Sequence, residues 1–71
     1  MEAVKRLRKQ CGLTQEQLAV QMGVSGPLIN HYERGKNQIT PANAWRLVEV
    51  CRRYKVKTSL DEIYGEVRKS A

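Results

Sequence analysis

The segment QEQLAVQMGVSGPLINHYER, residues 15–34, decides the fold. Two stretches with helical spacing meet at a glycine, and each residue near the junction has a physical task. Thr14 followed by Gln17 has the form of a capping box, in which the hydroxyl and the amide each satisfy a free backbone amide at a helix start. It opens a helix that runs through Met22, and Gly23 breaks it. The small side chain of Ala19 lets the second helix approach closely, and glycine at position 23 permits the positive φ of a tight turn between helices. Leu18, Met22, Val24, Ile29 and Tyr32 then point into a shared core. Ser25 is a candidate cap for the second helix, which Gly35 ends.

The chain on either side reads as more helix. Val4, Leu7 and Cys11 recur at helical spacing, with Lys5, Arg6 and Lys9 turned elsewhere, and Gly12 follows as a left-handed cap. Thr40-Pro41 is another start signal, a capping hydroxyl and then proline at the first helical position. The helix it opens extends to about Tyr54 or Lys55, with Ala44, Leu47, Val48 and Cys51 on one stripe. Arg52, Arg53 and Lys55 at its end suit the negative pole of the helix dipole. Ser59 and Glu62 form a second capping box before a short last helix holding Leu60, Ile63 and Tyr64. VKT at 56–58 is a brief extended piece that no second strand answers. The expectation is all-α: one compact domain of five helices over residues 1–71, with 66–71 as a frayed tail.

Composition narrows the function. Seventy-one residues leave no room for both a deep catalytic pocket and a regulatory domain, and a domain of this size leans on tight helix packing or oligomerisation. With 13 Lys+Arg against 7 Asp+Glu, the chain suits a polyanionic partner, nucleic acid or an anionic membrane surface, and equally a merely soluble surface. No helix pairs a broad apolar face with a basic one beyond core needs, which sets membrane binding last. Cys11, Cys51 and the lone His31 do not make a structural zinc site, so no metal is expected. The two cysteines read as buried or semi-buried thiols of a reducing compartment, with a disulfide as the alternative. MEAVKRLRKQ lacks the apolar run of a signal peptide, and the expected location is cytoplasmic. There is no nucleophile–base pair and no phosphate-cradling glycine loop, since GLT and ERGKN do not match one. No enzymatic activity, cofactor or small-molecule effector is expected.

LRKQCGLTQEQLAVQMGVSGPLINHYERGK, residues 7–36, resembles the helix-turn-helix of the phage Cro and phage-repressor family, the Cro/C1 type. The likeness covers about residues 4–64, through GLTQEQLA, the MGVS turn, the YERGK exit and the late SLDEIYG; the fourth helix is about a turn longer than the usual pattern. The resemblance implies a five-helix domain that binds double-stranded operator DNA as a two-fold dimer, with the helix beginning near Ser25 in the major groove. It also implies that Gln15 fixes the duplex backbone, and physics agrees, because the amides and positive dipole at a helix start attract a phosphate. Arg8 and Glu33 match positions that form a structural ion pair, and are assigned to the scaffold. The last helices of the family pair the subunits, so Trp45, Ile63 and Tyr64 are dimer candidates, with ordinary core packing the favoured fate of Trp45. Lys36 and Asn37, in the loop after the reading helix, suit phosphate contact. Lys5, Arg6 and Lys9 are read as a solvated face, and Arg52, Arg53, Lys55 and Lys57 are left unplaced.

Gly26-Pro27 departs from the family pattern, in which these positions often carry base-reading side chains. Proline is tolerated in a first helical turn, where its missing N–H has no intrahelical partner, and glycine accepts the geometry that proline imposes on its predecessor. The cap is then either Ser25 or Gly26, and both give a stiff helix with a bare tip. Pro27 or Leu28 could meet a thymine methyl, while polar readout falls to Ser25, Asn30, His31 and Arg34. Asn30 suits adenine, and His31 suits a guanine acceptor or a phosphate. Specificity should therefore lean on backbone contacts and DNA shape. The expected function is a Cro-like repressor. The rival is a protein-interaction adaptor, or a controller or antitoxin protein, built on the same fold.

Overall fold

Side-chain caps set where four of the five helices begin. The computed structural model describes residues 1–70, with side chains for 1–65. Its helices are α1 (Glu2–Gln10), α2 (Gln15–Met22), α3 (Gly26–Glu33), α4 (Pro41–Arg53) and α5 (Leu60–Ser70), with no strand among the described residues. The α2 box is complete: Thr14 Oγ1 accepts from the Gln17 amide at 3.0 Å, and Gln17 Oε1 accepts from the Thr14 amide at 2.9 Å. Ser25 Oγ accepts from the Leu28 amide at 3.3 Å, Thr40 Oγ1 from Asn43 at 3.2 Å and Ser59 Oγ from Glu62 at 3.2 Å. Each such cap contributes about 1 kcal/mol.

Only half of the second expected box forms. The Glu62 carboxylate accepts from Arg6 Nη2 at 2.8 Å and from the Thr58 hydroxyl at 3.1 Å. A charged donor from α1 outcompetes a neutral backbone amide for that oxygen. At the far end of α4 the helix stops at Arg53, with Tyr54 as its cap. Lys55 then takes φ 59°, so that the Val56 amide reaches back to the Cys51 carbonyl at 2.9 Å. A β-carbon in the left-handed region costs on the order of 1 kcal/mol, which is why glycine is usual there.

Helices α2 and α3 pack closest to each other, α4 lies under α2, and α5 covers α1 and α4. The core they share contains Val4 and Leu7, Leu18 and Met22, Ile29 and Tyr32, and Leu47, Val50 and Ile63. Gly23, at φ 74°, makes the turn that brings α3 onto α2, and Ala19 is buried at that junction. A buried polar bridge ties α3 to α4: Asn43 Nδ2 donates to the Tyr32 hydroxyl at 2.8 Å, and Asn43 Oδ1 accepts from Arg46 at 2.9 Å. Asn43 is thereby satisfied, as a buried amide must be.

Two dimer candidates change places. Ile63 is fully buried, because α5 lays its apolar stripe on α1 and α4, so it is a core residue and not available to a partner. Trp45, whose favoured fate was the core, is 49% exposed. The inward stripe of α4 runs through Ala44, Leu47, Val48 and Cys51, and the next position along turns about 100° away from it. Arg52 lies over the Trp45 ring, 6.0 Å from its centroid. Tyr64 is half-buried, and its hydroxyl has no hydrogen-bond partner among the described residues. The tail expected over 66–71 lies outside the side chains described.

Cys11 and Cys51 are buried free thiols with their sulfurs 3.9 Å apart, a contact rather than the roughly 2 Å bond of a disulfide. Burial pushes both thiols up, and Cys51, with Cys11 and Glu62 beside it, reaches about 12. Since the thiolate is the nucleophile, both should resist alkylation in the native state. Iodoacetamide at neutral pH is expected to leave the folded protein's mass unchanged and to add two groups after denaturation. Rapid modification of the folded chain would contradict this packing.

Candidate nucleic-acid interface

The face in question is built from the start of α2, the outer side of α3 and the loop that follows. Gln15 is the first helical residue of α2 and Ser25 is the cap of α3, which makes Gly26 the first and Pro27 the second helical residue. A β-carbon at Gly26 would sit 4.0 Å from the Glu16 Cα, an ordinary contact, so packing does not require glycine there. The requirement comes from Pro27, whose ring disfavours helical geometry in a predecessor that carries a β-carbon.

Ile29 and Tyr32 turn inward, leaving Pro27, Asn30, His31 and Arg34 at the three- and four-residue spacing of the opposite face. Pro27 and Arg34 are exposed, Asn30 and His31 half-buried. Leu28 is half-buried and packs partly against the core, so Pro27 is the more accessible apolar group at the tip. Ser25 is exposed, although its hydroxyl is engaged as the cap. Lys36 and Asn37 stand exposed just beyond α3, and neither Arg34 nor Lys36 has an ion-pair partner among the described residues.

Behind this face, Glu33 is gripped by α1. Its Oε2 accepts from Arg8 Nε at 2.6 Å and its Oε1 from Arg8 Nη2 at 3.1 Å, while Arg8 Nη1 donates to the Leu13 carbonyl at 2.9 Å. The Glu33 side chain is 5% exposed and that of Arg8 14%. Burial alone would push the Glu33 carboxyl up; the hydrogen bonds from Arg8 and Gln15 and the nearby positive charges outweigh it and hold the group below its ordinary value. Arg8 is correspondingly raised, mainly by its bond to Glu33.

The network extends to the surface. Gln15 Nε2 donates to Glu33 Oε1 at 3.2 Å, and Asn30 Nδ2 donates to Gln15 Oε1 at 3.4 Å. The structure thus joins four of the expected site and scaffold residues, on three helices, in one chain of contacts. Nothing in a linear spacing of fifteen residues indicates that the amides of Gln15 and Asn30 meet.

Several other cations are engaged elsewhere. Arg6 is paired with Glu62, and Arg52 with Glu49 at 3.2 Å. Arg52, Lys55 and Lys57 line a separate shallow groove over Val48 and Val56. No cluster of metal-ligating side chains occurs among the described residues.

With this arrangement in view, a family profile described as helix-turn-helix matches residues 4–56. The chain belongs to the Cro/C1-type helix-turn-helix family. Its members are DNA-binding regulators, and this Cro/C1-type domain is a DNA-binding regulator of that kind. The match runs from α1 past the end of α4 and leaves α5 outside. Neither curated proteins nor solved structures give a match. Among the described residues, no helix is long and apolar enough to cross a membrane.

Proposed function

We propose that the protein is a cytoplasmic transcriptional repressor of the Cro type. It binds a palindromic operator as a homodimer and blocks access of the polymerase. The observation that carries this reading is the outer face of α3, where Asn30, His31 and Arg34 follow at helical spacing, with Gln15 against Asn30 and the exposed Lys36 and Asn37 just beyond the helix. The flanking groups hold phosphates and set register, and the central ones meet base edges. Pro27, at a tip with no long side chain, comes close to the groove floor and supplies an apolar contact to a thymine methyl. Trp45 and Tyr64 are the dimer candidates that retain exposed surface. Control is by concentration and dimerisation rather than by a small-molecule effector.

The short tip favours one rival, an adaptor that keeps the fold and has lost base reading. Binding-site selection from a random duplex pool, at near-physiological salt with competitor DNA, separates the two. Enrichment of an inverted repeat with half-sites about one helical turn apart is expected. A pool that stays random, with affinity that merely falls as salt rises, would sink the operator reading and leave the adaptor.

A further inference from the structure

We infer that the Arg8–Glu33 ion pair, acting through Gln15, fixes which way the Asn30 amide faces, and that this orientation selects adenine as its base. The inference rests on the reading of α3 as the groove-bound helix. It follows from the donor and acceptor character of four side chains, taken in order.

A guanidinium only donates hydrogen bonds, and a carboxylate only accepts them. With Arg8 occupying both Glu33 oxygens, the carboxylate is ionised, and whatever else touches Oε1 must donate. Gln15 is 3.2 Å away and can meet it only with its NH2 group. That turns the Gln15 carbonyl toward α3, where Asn30 approaches to 3.4 Å. A carbonyl can receive only a donor, so Asn30 also presents its NH2 inward. The relay has one permitted direction, and a flip of either amide would set donor against donor or acceptor against acceptor.

What remains on Asn30 is one acceptor, Oδ1, and one free N–H. Adenine displays the complement in the major groove, the N6 donor beside the N7 acceptor, whereas guanine displays two acceptors, O6 and N7. An asparagine free to rotate could offer guanine its NH2; a locked one faces O6 with its own carbonyl. Gln15 keeps its second N–H for the phosphate backbone, so the same amide both anchors the duplex and positions the reader. Gln15, Glu33 and Arg8 are positioning residues here, and Asn30 alone touches the base.

The relay can be reversed. In Gln15→Lys the ammonium still donates to Glu33 but offers Asn30 a donor instead of a carbonyl. Asn30 must then turn its own Oδ1 inward and present its NH2 to the groove, the pattern that suits guanine. In Gln15→Met the relay is cut at similar side-chain length.

The experiment measures affinity of the full chain for its selected operator and for the three single-base variants at the position whose preference Asn30→Ala abolishes. Thermal unfolding confirms that each variant is folded at the assay temperature. Wild type is expected to favour adenine over guanine by about tenfold or more. Gln15→Met should lose most of that ratio as well as some affinity for every sequence, and Asn30→Ala added to it should change the ratio no further. Gln15→Lys should move the preference toward guanine. A Gln15→Met protein that weakens on all sequences equally while keeping its adenine preference would overturn the inference, since Gln15 would then be a phosphate anchor alone. An Asn30→Ala protein with every preference intact would overturn it too. Should Gln15→Lys fail to fold, the Gln15→Met result decides. If wild type enriches no site at all, it is the operator reading itself that fails.

Discussion

Glu33→Ala is expected to lower the stability of the domain by about 3 kcal/mol, because it leaves the Arg8 guanidinium largely buried with no counter-charge. A chain of this length has a total of roughly 4–10 kcal/mol, so the loss is a large share of it. Arg8→Ala should cost a similar amount by stranding the carboxylate. The double variant should cost clearly less than the two added together, since neither charge is then left alone. Denaturant midpoints measured by circular dichroism test this. A loss below about 1 kcal/mol would put the pair in the class of the exposed Arg6–Glu62 contact, worth little on a solvated surface. The pH dependence has a definite sign. The Glu33 carboxyl is held below its ordinary value of 4.5, so its contribution is fully present above that value and is lost as pH falls through the lower folded one. The gap between wild type and Glu33→Ala should therefore be constant at neutral pH and narrow in acid below about pH 4.

How much of this was legible in advance depends on whether the signal was local. Thr14 with Gln17, Ser25 before Pro27, and Thr40 before Pro41 each encode a helix start within four residues, and the helices begin where those signals stand. The stripe of Ala44, Leu47, Val48 and Cys51 likewise carries its own direction. At Trp45 hydrophobicity argues for burial while the stripe beside it argues for solvent, and in the fold the stripe wins. Ile63 had the right character for either core or interface, and only the docking of α5 on α1 and α4 decides between them. Helix α4 ends at Arg53, short of the expected Tyr54 or Lys55, because Lys55 takes a left-handed conformation without the glycine that usually announces one. Least legible were the polar pairs, Asn43 with Tyr32 and Asn30 with Gln15. Each joins two helices, and a hydrogen bond across a tertiary contact leaves no trace in the periodicity of either partner.

Ile29→Ala should produce a loss as large as that of the ion pair, with the opposite functional profile to its neighbour. Ile29 is fully buried on the inner side of α3, one position before Asn30. Cutting a buried isoleucine to alanine costs about 2–5 kcal/mol, in lost transfer energy and in the cavity left behind. At roughly 4–8 °C per kcal/mol for a domain of this size, the melting temperature should drop by roughly 8–40 °C. Yet the substitution removes nothing from the outer face, so below the transition the affinity for the selected operator should stay within about twofold and the base preferences should be unchanged. Asn30→Ala should do the reverse, shifting the melting temperature little while erasing one base preference. The contrast follows from the 100° step between successive residues of a helix, which puts one side chain in the core and the next at its edge. If Ile29→Ala altered base preference while the protein remained folded, α3 would be moving on its seat against α2. The contact between Gln15 and Asn30 would then be set by core packing instead of by the direction of its hydrogen bonds.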